Sequence, residues 1–175
     1  MLTLDLGNHR QGRLWLDELP DLHYPPLRVA ERTVAVPAGG SRRQKAAAEL
    51  LVPMGPRAMY GLLGATHTAD GSGSLRVQVV LSGADGKVYP AALAGRLDQV
   101  RAGLPEEYGD SVLAGVLSAE ALARLGPGVL RIDCAAHGPV GSSPWLFQRL
   151  AGVVVLALTA AADVAWEEEV RRLLT

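Results

Sequence analysis

Residues 104–162 read LPEEYGDSVLAGVLSAEALARLGPGVLRIDCAAHGPVGSSPWLFQRLAGVVVLALTAAA, and this stretch decides the fold. Pro105 brings the fixed φ favoured at a first helical position, and Glu106 and Glu107 meet the positive end of a helix dipole. Tyr108, Val112, Val116, Ala119 and Leu122 follow at helical spacing as a buried stripe, which Gly126-Pro127-Gly128 ends. Val129 to Ala135 then alternates as a strand, with Leu130, Ile132 and Cys134 on one face and Arg131 and Asp133 on the other. After a short Gly/Pro turn, Ser142 or Ser143 caps a second helix with Pro144 just inside it. From Trp145 to Ala162 that helix is apolar nearly all round, apart from Gln148 and Arg149. Such a helix must be covered on most of its sides.

Helices alternating with strands, with little chain between them, predict an α+β fold: a two-layer sandwich of a mixed sheet with helices packed on one face. Upstream, LTLDLGNHRQGRLWLDEL reads as a β-hairpin, Pro20 to Pro26 as a connection, and Arg28 to Val36 as a strand whose Arg28/Arg32 side faces water. Pro37-Ala38-Gly39-Gly40 breaks the chain, and Ser41 caps a predicted short helix, RRQKAAAELLV, ended by Pro53, Gly55 and Pro56. Strands at Arg57–Thr68 and Leu75–Ser82 flank a Gly/Ser loop. A surface helix over 163–174 carries i,i+4 pairs Glu167–Arg171 and Glu168–Arg172. Residues 1–55 thus form an N-terminal β extension with a short helix, packed on the α+β domain of residues 56–175.

Composition sets bounds on function. Of 175 residues, 49% are hydrophobic and 20% charged, a globular balance, while aromatics at 5% leave few platforms for stacking on bases. A net charge of -1 lacks the basic excess of a chain held by phosphates, so no DNA partner is expected. The single Cys134 excludes an internal disulfide and suits a reducing compartment. Asp5, His9 and Arg10 interrupt the start before any apolar run, and Leu150 to Ala162 is too short to span a bilayer. The expected location is therefore the cytoplasm, with no membrane partner.

Pro105, Glu107, Tyr108, Val112 and Gly115, then Ile132-Asp133, His137-Gly138, Ser142-Ser143, Phe147 and Ala151, fall in the order of a known module. Over residues 68–162 the chain resembles the fourth domain of translation elongation factor G. The resemblance implies a fold of the ribosomal-protein-S5-domain-2 type, whose hallmark is a left-handed βαβ crossover. It also implies a contact edge made by two loops, Asp70–Ser74 and His137–Gly141, lying together at one end. The chain departs from the family where that family works. Only Pro139-Val140-Gly141 separate Gly138 from Ser142, the tip His has no counterpart, and no G-x-x-x-x-G-K-[ST] phosphate loop is present.

Two functions follow as expectations. The first is a non-enzymatic binding module whose candidate residues are Asp70, Gly71, Ser72, Gly73, His137, Gly138, Gly141, Ser142 and Ser143. Its partner is a protein, a second copy, structured RNA or the ribosome. The second is a small enzyme holding an anionic substrate on the backbone N–H groups at the Gly138–Ser143 helix start, with Arg131 aimed inward. Cys134 beside His137 and Asp133 is read as buried rather than catalytic, Arg42-Arg43-x-Lys45 as a solvated turn, and Trp166, Val170, Leu173 and Leu174 as a helix face packed on the same molecule. No cofactor and no metal are expected, since one Cys and four scattered His lack ligand spacing.

Overall fold

β5, Arg57–Ala69, is the longest strand and the spine of the molecule. On one side it pairs antiparallel with β4 (Lys45–Met54), on the other with β8 (Gly128–His137). In this computed structural model, which describes residues 1–175, eight strands form one mixed sheet. The remaining strands are β1 (Leu2–Asp5), β2 (Gln11–Leu16), β3 (Arg28–Ala35), β6 (Ser74–Leu81) and β7 (Arg101–Ala102), and the order is β1-β2-β4-β5-β8-β6-β3. β7 pairs with β8 beyond the end of β6. Helices α1 (Gly109–Leu117), α2 (Pro144–Thr159) and α3 (Trp166–Leu173) cover one face, giving the expected α+β architecture. Residues 1–55 supply both edges of the sheet, through β1 and β3. No helix is long and apolar enough to cross a membrane.

The only parallel pair is β6 with β8, joined through α1. Its hand follows from L-chirality. Ala135 in β8 turns its carbonyl toward the β6/β7 side, where it accepts from Gly103 N–H at 2.8 Å, and its side chain enters the helix-side core. In an extended L-residue whose strand points up and whose side chain faces the viewer, C=O and N–H point right. Viewed from the helix layer, β6 therefore lies to the right of β8, and the connection in front of the sheet moves left. This is a left-handed crossover, against the usual rule.

The predicted helix at 42–52 is β4 instead. Ala46, Ala48, Leu50 and Val52 face the helix-side core, while Ala47 and Leu51 join a second core on the opposite face. A central strand buried on both faces has no polar alternation, so an Ala/Leu run reads like a helix until its pairing is known. Cys134 is buried, but on the face opposite to Leu130 and Ile132. The register slips between Gly64/Ala65, which pair with Cys134 and Ile132, so Asp133 is a bulged extra residue and the alternation reverses beyond it. In β3 the Arg28/Arg32 side is the helix side, because Ala30 and Val34 lean on the main core.

The acidic helix is also broken. A 3₁₀ turn at Glu106–Tyr108 leads into α1, and a second at Leu122–Arg124 follows it. In the last helix, Arg172 bonds Glu169 and Glu120, and Arg171 reaches the Leu6 carbonyl, so the i,i+4 pairs do not form. Its apolar face is internal: Trp166, Val170 and Leu174 are buried in the main core.

α1 and α2 meet at Gly115, where a Cβ would run into the Gln148 carbonyl of α2. Gly152 of α2, by contrast, has nothing within 4 Å of a Cβ. Gly115→Ala is expected to lose about 1–3 kcal/mol by forcing the helices apart. Gly152→Ala should gain about 0.5–1 kcal/mol from helix propensity. Urea denaturation of the two variants checks the opposite signs.

Candidate functional site

The two predicted loops do not lie together. Ala69 pairs with Gly128 at the start of β8, and Gly61 pairs with His137 at its end. Eight residues of β5 at about 3.3 Å each put the loops roughly 26 Å apart, at opposite ends of the sheet. The Asp70–Gly73 loop is a self-contained turn: Asp70 Oδ1 accepts from Ser72 N–H at 2.9 Å, Ser72 Oγ donates to Ser74 O at 3.0 Å, and Gly73 takes φ +75°. These bonds from Ser72 hold the Asp70 carboxyl below its ordinary pKa. Gly71 faces open space.

At the other end, the Gly138–Ser143 loop is held from within. Asp98 Oδ2 accepts from Val140 N–H and Gly141 N–H, each at 3.0 Å, and it occupies the space beside Gly138 where a Cβ would go. Ser142 Oγ accepts from Gly138 N–H at 2.9 Å and donates to Tyr60 O at 2.6 Å. Ser143 is the residue that caps α2, accepting from Leu146 N–H at 3.2 Å. The backbone donors expected to hold an anion thus already hold a carboxylate of the same chain. Arg131 lies seven residues before Gly138, on the sheet's other face, paired with Asp133 at 3.0 Å and bonded to Gln78.

His137 is buried beneath the start of α2, where its Nδ1 donates to Gly103 O at 3.1 Å and its Nε2 has no partner. It faces away from Cys134, whose Sγ lies 3.7 Å from Pro20 O and whose thiol burial pushes up to about 12. Thiol, imidazole and carboxylate therefore do not form a nucleophilic group. Arg43 of the basic cluster is not solvated. It caps the end of α2 through Ala157 O at 2.9 Å and Ala160 O at 2.8 Å, and lies over the Trp166 ring.

Apolar side chains converge on the Gly138–Ser143 loop, with Arg57 and Asp98 among them. Pro53, Gly55, Pro56, Arg57 and Ala58 of the β4–β5 turn, Ala94, Leu97 and Asp98, and Val140 and Gly141 line a shared cleft of about 350 Å³. Of its lining, Leu97 is 67% and Val140 72% exposed, and Met54, between Pro53 and Gly55, is 58% exposed. Arg57 and Arg96 on the same turns are exposed and join no ion pair, and the one carboxylate nearby, Asp98, is spent on backbone N–H groups.

One polar cluster escaped the sequence reading, because Glu49 sits in the segment misread as a helix. Fully buried on the second face, Glu49 accepts from Tyr60 Oη and Leu93 N–H, each at 2.8 Å, and pairs with Arg13 at 3.2 Å. Arg13 also donates to Ala91 O at 2.8 Å. Together they fasten the segment between β6 and β7, which carries Leu97 and Asp98, to the sheet. Burial raises the Glu49 pKa, against the pull of the Leu93 N–H, the Tyr60 hydroxyl and Arg13. Compared with known proteins, the chain matches no family model, no curated protein and no solved structure.

Asp98→Ala removes the acceptor for two N–H groups, so it should cost about 1–3 kcal/mol and speed amide exchange at Val140 and Gly141 while leaving the core of β5 protected. Arg13→Ala leaves a buried carboxylate uncompensated and should cost about 3–5 kcal/mol near neutral pH. A carboxyl with a raised folded-state pKa carries its penalty above that pKa and sheds it as pH falls through it. The deficit of Arg13→Ala relative to wild type should therefore shrink on acidification. Urea titrations at neutral pH and at about pH 5 check this.

Proposed function

We propose that this chain is a non-catalytic binding module that engages a protein partner at the loop end formed by residues 53–58, 94–98 and 138–143. One observation carries the reading: Leu97 and Val140, from two separate loops, line one cleft and yet project into solvent, and Met54 on the adjoining β4–β5 turn is exposed as well. The Leu and Val side chains of β5, β6 and α2 are all buried, so these exposed ones stand apart, and apolar side chains exposed together mark a contact surface. The anionic-substrate alternative loses ground because Asp98 already fills the N–H groups it needs. The left-handed β6–α1–β8 crossover supports the resemblance to the fourth domain of elongation factor G, and with it a role in binding rather than catalysis. The free, buried Cys134 suits the cytoplasm as the setting.

The test is co-purification of the native protein with its partner, followed by a salt titration, beside the double variant Leu97→Asp/Val140→Asp. The expected outcome is a protein retained from 0.1 to about 0.5 M salt and held about tenfold more weakly by the variant, as for loss of a contact worth about 1.4 kcal/mol. Retention of a nuclease-sensitive RNA with steep salt dependence, or equal retention by the variant, overturns the reading.

A further inference from the structure

A second concavity lies elsewhere, in the helix layer. It is a cleft of about 440 Å³ between the segment that follows α1 and the α2–α3 corner. Its floor is apolar: Ala121, Gly152, Leu156, Ala160 and Leu173 contribute. Gly152 is the interior glycine of a helix that is otherwise well packed. At the other glycines inside helices and strands, crowding explains the missing side chain: Gly61 has Leu150 Cδ1 2.7 Å from its absent Cβ, and Gly115 abuts the Gln148 carbonyl. At Gly152 nothing approaches within 4 Å, so this glycine lowers helix propensity and leaves an opening that the chain itself does not fill.

The rim is charged, and its charges are not equivalent. Arg172 bridges Glu169 at 3.1 Å and Glu120 at 3.4 Å, which occupies both carboxylates and the guanidinium. Arg124, the fourth charged group lining the cleft, is exposed and has no carboxylate within ion-pair distance. The cleft therefore offers an apolar trough with one unmatched, fork-shaped donor at its edge. A planar carboxylate fits that fork with two parallel hydrogen bonds, while an apolar tail takes the trough.

We propose that the helix-layer cleft is a binding site for a small apolar carboxylate, of the size of a medium-chain acyl acid, with Arg124 holding the carboxylate and Gly152 admitting the tail. Binding adds and breaks no covalent bond. The site is separate from the loop end, and occupancy of one does not require the other.

Methyl-resolved NMR titration of the full chain with octanoate tests it, with octylamine and 1-octanol as matched probes. Octanoate at about millimolar concentration should shift the methyls of Ala121, Leu156, Ala160 and Leu173, and Arg124→Gln should weaken it about tenfold with the spectrum of the core unchanged. Gly152→Leu should fill the trough and abolish the shifts while the protein stays folded, since leucine favours a helix more than glycine. Equal binding of the amine or alcohol, shifts confined to Leu97 and Val140, or no shift at all overturns the proposal.

Discussion

The structure depends on burying α2. Eleven of its sixteen residues are buried, among them Leu146, Phe147, Leu150, Val153, Val154, Val155 and Leu158. Each such side chain contributes about 1.5–3 kcal/mol relative to exposure, which makes this helix the main source of favourable energy on its face of the sheet. A helix apolar on nearly every side needs walls on nearly every side. The sheet supplies one wall through β4 and β5, and α1 supplies another by approaching so closely that only glycine fits at position 115. Gly61 performs the same service below, letting Leu150 and Phe147 settle onto the backbone of β5. The fold is thus a set of answers to one demand, and the glycines mark where helix and sheet come closest.

The same demand explains why β8 enters between β5 and β6. A hairpin of β5 and β6 alone would expose the seam beneath α1 and α2. Inserting β8 gives the helix layer Leu130, Ile132 and Ala135 as a floor. The bulge at Asp133 then turns Cys134 and Ala136 to the far face, where Trp15, Leu62 and Val100 form the smaller core. One extra residue therefore lets a single strand serve helix-side residues along its length and a second core beyond the bulge. That second core has no helix over it. It is roofed by two irregular segments, so backbone groups there need partners other than a ladder. Buried Glu49 provides one, accepting from Leu93 N–H, and Arg13 provides another at Ala91 O.

Much of this was legible in the sequence wherever one local signal ruled. Ser143 at the start of α2, Pro144 inside it and the turn at Gly126 stand where capping and turn chemistry predict. The misreadings share a physical cause: each was decided by a neighbour distant in sequence. β4 looks helical because its second face is covered by residues 91–94 and its one buried charge, Glu49, is paired with Arg13. The bulge in β8 exists only in relation to Gly64 and Ala65 of β5. Asp98 could not be linked to the Gly138–Ser143 loop from spacing alone, since forty residues separate it from Gly138. The resemblance placed two loops side by side, but pairing of β5 with β8 over their length drives them apart.

The Asp98 contact decides what the loop end can do. A backbone turn with free N–H groups recognises anions, whatever else surrounds it. When a carboxylate from the same chain takes those groups, the turn becomes rigid and neutral, and its recognition chemistry passes to the side chains it displays. Here the displayed side chain is Val140, next to Leu97, which precedes Asp98 and is positioned by the same two hydrogen bonds. The latch therefore joins two loops into one apolar surface at a fixed spacing. Because the contacts that fix it are internal, little ordering entropy would remain to be lost in the docking proposed there. Under the proposed reading, a preorganised apolar surface suits a folded protein better than a nucleic acid, whose binding rests on phosphate contacts.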